Sequence, residues 1–84
     1  MPEIARLNNI IIHMMYFDTK QHNEPHIHIT YNEYEASVSL NGYILSGILP
    51  PKQKKTVIEW INLHYNTLIT LWENAKIGKP VNKI

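Results

Sequence analysis

Residues 26–40 constrain this chain more than any other stretch. His26-Ile27-His28-Ile29-Thr30-Tyr31 alternates polar and apolar residues with period two, and so does Tyr34-Glu35-Ala36-Ser37-Val38-Ser39-Leu40. Side chains along a strand point alternately to its two faces, so each run reads as a strand with one apolar face. A turn at Asn32-Glu33 pairs Tyr31 with Tyr34, and the rest of the register follows. Ile29 then faces Ala36, and Ile27 faces Val38, on one side. Thr30 faces Glu35, His28 faces Ser37 and His26 faces Ser39 on the other. The expectation is a half-exposed antiparallel hairpin whose histidine face is open to solvent.

The flanking segments extend this pattern. Residues 9–17, Asn-Ile-Ile-Ile-His-Met-Met-Tyr-Phe, are apolar and partly β-branched, and read as a first strand. Residues 18–25 are polar, end in Pro25 and read as a loop. Asn41-Gly42 is a hairpin turn signal leading into a fourth strand from Tyr43 to Leu49. Strict alternation puts Tyr43, Leu45 and Leu49 on the apolar side, and Ile44 and Ile48 on the histidine side. Pro50-Pro51 ends the sheet and can start a helix. At about 100° per residue, Val57, Ile58, Ile61, His64, Tyr65, Leu68, Ile69, Leu71, Trp72 and Ala75 share one stripe. That phase persists over residues 51–76, which predicts one long helix ended by Gly78 and Pro80. The expected fold is α+β: a four-stranded antiparallel β-meander packed against one long C-terminal α-helix, as a single domain over residues 1–84.

Composition narrows the function classes. A chain of 84 residues suits one domain, and a domain of this size buries only about 60–65% of its unfolded surface. A core that small gains from a partner. The absence of cysteine excludes disulfides and thiolate metal sites. A net charge of +1 is too small for indiscriminate nucleic-acid binding. No apolar run approaches the ~20 residues of a membrane span, and Met1-Pro2-Glu3 shows no signal pattern. The expected location is the cytoplasm.

Chemistry concentrates in His22-Asn23-Glu24-Pro25-His26-Ile27-His28. Residues two apart on a strand share a face at about 6.5–7 Å, so His26 and His28 are neighbours, and His22 can fold back beside them. Three neutral imidazoles can ligate zinc or another divalent transition metal, with Glu35 completing the shell. Without metal, His22, His26 and His28 can act as a catalytic acid–base set or contact phosphate, because imidazole titrates near neutrality. The bland alternative is that strand histidines merely pair with serine and threonine. His13 joins the cluster if its parity matches, and His64 on the helix stripe reads as a core histidine bonded to backbone. Lys52, Lys54 and Lys55 sit where the helix dipole disfavours cations. An anion such as an RNA phosphate would offset that cost, and otherwise they are a solvated face. Trp60 and Leu63 form a secondary stripe that hints at a protein contact.

The chain resembles the DUF4160 family of small bacterial proteins over nearly its full length. The matching pieces are Met1-Pro2-Glu3-Ile4, the run ending Met15-Tyr16-Phe17, the histidine motif itself, Tyr34-Glu35-Ala36, Leu49-Pro50, Glu59-Trp60, Leu63-His64 and Trp72-Glu73 before Gly78 and Pro80. Two positions depart from the family: Glu24 stands where a second proline is common, and His13 where arginine is common. The first departure is expected to loosen the loop. The resemblance implies a member of a two-gene, toxin–antitoxin-like cassette, with a protein partner (the neighbouring gene's product or a second copy) and room for an RNA target. It implies no particular reaction.

Overall fold

The computed structural model describes residues 3–14, 24–81 and 83–84. Its sheet is antiparallel, with strands β1 (Glu3–Leu7), β2 (Ile10–His13), β3 (His26–Tyr31), β4 (Tyr34–Ser39) and β5 (Ile44–Gly47) side by side in chain order. Two helices follow, α1 (Pro51–Leu63) and α2 (Tyr65–Lys76). The fold class is α+β, but the sheet has five strands where four were expected. The extra one is β1, which turns into β2 at Asn8, a residue at φ 55°. Glu-Ile-Ala-Arg-Leu mixes charge and apolar residues too evenly to announce a strand; pairing with the apolar Ile10–Ile12 run makes it one.

The central hairpin has the register that alternation dictates, from His26 opposite Ser39 to Tyr31 opposite Tyr34. Asn32 takes the left-handed conformation, φ 53°, that closes its tight turn. On the last strand the expectation fails. Val38 faces Ile44 while Ser37 faces Ser46, so Leu45 is the extra residue of a bulge. Ile44 therefore turns toward the core, contrary to strict alternation, and Tyr43 is exposed.

The helical stretch breaks at His64, whose φ of −111° and ψ of 19° separate α1 from α2. No proline or glycine marks the break, and the hydrogen bonds from His64 N–H to Trp60 O and from Leu68 N–H to His64 O run through it. His64 is accordingly a junction residue, half-buried with its ring 4.9 Å from that of Trp60, and not a core histidine. Gly78, at φ 78°, ends α2 as expected. Val57, Ile61, Leu68, Leu71 and Trp72 are buried against Ile4, Ile10, Ile12, Ile27, Ile29 and Val38 in one core. The helices thus cover the apolar sheet face, as the hydrophobic stripe requires.

Candidate functional site

The polar face of the sheet is organised in rows that cross the strands. Register aligns Glu3, His13, His28, Ser37 and Ser46 in one row through all five strands. His13 and His28 are directly opposed, which puts their β-carbons about 4.5–5.5 Å apart. His13 therefore does share the histidine face. A second row holds His26 opposite Ser39, and a third Arg6, Ile11, Thr30 and Glu35. At the row's outer end, a hydrogen bond from Arg6 holds the Glu3 carboxyl below its usual range, helped by the charges of Arg6, Lys83 and His13.

His26 and His28 share a face, with ring centroids 5.4 Å apart. The expectation of solvent-open imidazoles is overturned. His26 is fully buried, together with Ser37 and Ser39, and Trp72 lies 5.1 Å from its ring. The Nε2 atoms of both rings are sealed from solvent. His28 itself is only half-buried, and its Nδ1 lies 3.4 Å from Ser37 Oγ. Alternation identified a polar face correctly, but a polar strand face can be buried wherever its groups are hydrogen-bonded. Among the described residues, His13 Nδ1 is buried with no hydrogen-bond partner.

Glu24 is the residue that sequence reasoning missed. Its carboxylate accepts hydrogen bonds from Ser39 Oγ at 2.9 Å and from Tyr43 OH at 2.7 Å. Its carbonyl accepts from His26 Nδ1 at 2.8 Å. A carbonyl can only accept, so the His26 ring carries its proton on Nδ1. Next along the chain, the Pro25 carbonyl accepts from Leu40 N–H at 3.1 Å. Glu24 therefore ties the start of the described part of the motif to the end of β4, while most of the loop expected to loosen lies outside the described residues. The only available signal was the coincidence of an acid in the motif with a tyrosine just past the Asn41-Gly42 turn.

That clamp leaves a titration signature. Donation to the Glu24 carboxylate, followed by desolvation, pushes the Tyr43 phenol above its ordinary value. A folded-state value above the unfolded one means that the clamp's contribution is complete below about pH 10 and disappears as pH rises through the folded-state value. Ultraviolet titration is expected to show one of the five tyrosines ionising late, and Tyr43→Phe to remove that step. An unchanged titration curve in the variant would refute the clamp.

The remaining candidates are dispersed. His22 lies outside the described residues. Glu35 is exposed and sits one row away from His28. Among the described residues no group of three or more His, Cys, Asp or Glu is placed to hold a metal, and His26 Nδ1 is already engaged by Glu24. Donation from His26 Nδ1 leaves Nε2 as the one atom of that ring able to ligate a metal, and His22, which the zinc reading needs, is not among the described residues. Lys52, Lys54 and Lys55 are exposed on the first turns of α1, which has no acidic residue in its first turn and no side-chain cap. Lys52 lines a hollow of about 230 Å³ with Asn8, Ile10 and Tyr31. Ile10 and Tyr31 belong to the core face, so the lysines and the histidines flank the sheet from opposite sides. Leu63 is 79% exposed and Trp60 is partly buried against the core.

No helix among the described residues is long and apolar enough to cross a membrane. No curated protein matches this chain, and no solved structure matches it either. The sequence model of one family, described as "Domain of unknown function (DUF4160)", matches residues 9–73, a span that holds the histidine motif, the central hairpin and most of both helices. The chain belongs to the DUF4160 family.

Proposed function

We propose that the chain is a protein-binding module of a toxin–antitoxin-like pair in the bacterial cytoplasm. Leu63 carries this reading. Among the described residues it is the most exposed large apolar one, and it sits at the helix break with exposed Tyr65 following and partly buried Trp60 one turn before. Removing such a surface from water contributes about 25 cal/mol per Å² of apolar area, and a domain this small has little core to spare. The histidine face supports the module from within, and any contact of that face with RNA or phosphate is made at its rim through half-buried His28. The rival, a small histidine- or metal-dependent hydrolase or ribonuclease, asks for a ring nitrogen that substrate can reach. The burial of His26 and of His28 Nε2 favours the binding module.

Co-expression with the product of the adjacent gene tests it. The two are expected to co-purify, and Leu63→Asp to reduce recovery of the partner at least about tenfold, the effect of losing a contact worth some 1.4 kcal/mol. The melting temperature should hardly move, since Leu63 lies outside the core. Co-purification that ignores Leu63→Asp would displace the interface, and no co-purification would reject the reading. Elemental analysis of untagged protein addresses the rival: stoichiometric zinc would return the histidines to ligand roles.

A further inference from the structure

The two edges of the sheet are treated differently. At β1, the Ile84 N–H donates to the outward carbonyl of Ile4 at 2.8 Å, and Lys83 Nζ lies 3.8 Å from Glu3, so the chain's own C-terminal residues cover that edge. At the other edge β5 pairs only with β4 among the described residues. Its sequence, Ile-Leu-Ser-Gly, carries no charge, and Ile48 just beyond it is 69% exposed. An uncharged, unpaired edge presents free N–H and C=O groups to any extended segment.

The flank of α1 beside that edge is shaped to receive side chains. Gln53 and Thr56 line a hollow with Leu7 and Ile10, so their flank of α1 looks toward β1 and β2. The opposite flank looks toward β4 and β5: a Cβ built on Gly42 would lie 3.8 Å from Ile58. On that flank Pro51, Lys54, Lys55, Ile58 and Glu59 line an open, largely apolar groove of about 290 Å³. β5 leads through Leu49 and Pro50 straight into α1, so the lysine end of the groove follows the Gly47 end of β5 in the chain, while Ile58 lies by the Gly42 turn that precedes the strand. Lys54 and Ile58 are four residues apart on a helix, about 6 Å along its axis. Residues on one face of a strand repeat every 6.5–7 Å or so. The two spacings match.

We propose that β5 and this groove form a strand-addition site for an extended segment of a partner protein that carries an aliphatic residue and, two positions away, an acidic one. The segment's backbone pairs with β5, its aliphatic side chain enters the groove at Ile58, and its carboxylate meets Lys54 and Lys55. Glu59 contributes one opposing charge at the far wall, so the groove's balance stays positive. Main-chain pairing supplies affinity and the alternating side chains supply selectivity. The site is separate from the Leu63 surface, which lies at the C-terminal end of α1, nine residues beyond Lys54 or about 13 Å along the helix.

The probe is the peptide acetyl-Thr-Val-Thr-Glu-Thr-Val-Thr-amide, which presents the same pattern in either direction. A matched peptide with lysine for glutamate is the control. By amide NMR the acidic peptide is expected to bind on the order of 1 mM, shifting Ser46, Gly47 and Lys54 and slowing amide exchange in β5. Lys54→Glu with Lys55→Glu should weaken it about tenfold and favour the lysine peptide instead, as charge reversal at an interface does. Leu63→Asp should change nothing, which separates this site from the surface under Proposed function. Equal binding of both peptides overturns the proposal, as does the absence of β5 shifts up to about 10 mM, roughly 1.4 kcal/mol weaker than expected. It is equally overturned if an octamer of uridylate, but not the peptide, perturbs Lys54 and Lys55, or if β5 proves to pair with a second copy of the chain.

Discussion

Gly47→Ala is expected to destabilise the fold by on the order of 3 kcal/mol, since two costs coincide at this residue. Gly47 sits at φ 82°, a conformation that a side chain disfavours. A β-carbon there would also press on the Glu35 carbonyl oxygen and lie 2.8 Å from Ala36 Cα, both backbone atoms of β4 that cannot turn aside. The strands must part to admit it, and β5 leaves the sheet. In a domain of this size a loss of 3 kcal/mol lowers the melting temperature by more than about 12 °C. Gly42→Ala is the control: its φ of 95° imposes strain, but only Ile58 Cγ2 is near, at 3.8 Å. Equal melting shifts in the two variants would mean that backbone strain alone matters, and the clash with β4 does not.

Leu68→Ala is expected to cost about 2–5 kcal/mol, the range for a buried leucine whose cavity only partly collapses. Leu68 is fully buried and belongs to the core that joins α2 to the sheet. Urea unfolding with an unchanged denaturant slope measures the loss cleanly. Leu63→Ala, on the neighbouring helix and 79% exposed, should change stability by less than about 0.5 kcal/mol. Similar losses in the two variants would place the core on the wrong side of the helices.

Both expectations depend on features of unequal legibility. The helix stripe that buries Leu68 was evident from spacing, because 3.6-residue periodicity is a property of the local chain. Ile27, Ile29, Val38, Ile61, Leu68 and Trp72 were expected to meet, and they do. The role of Gly47 was not evident, because it follows from the bulge at Leu45 that brings β5 onto Glu35 and Ala36. The candidate site divides in the same way. That His26 and His28 share a face with Ser37 and Ser39 follows from alternation alone. That His13 stands opposite His28 required the pairing of β2 with β3, and that Glu24 is held by Ser39 and Tyr43 required contacts over 15 and 19 residues.

The sequence by itself determined the central hairpin, its register, its two faces and the apolar stripe of the helices. Each depends on the periodicity of neighbouring residues and on turn residues at Asn32 and Gly78. Tertiary structure alone decided that Glu3–Leu7 is a strand, that the helix breaks at His64, that Ile44 and not Leu45 turns inward, and that the histidine face is closed at its His26 end by Trp72. These outcomes share one physical cause. Whether a residue pairs, bends or is buried depends on what distant segments bring against it, and local alternation carries no record of those neighbours.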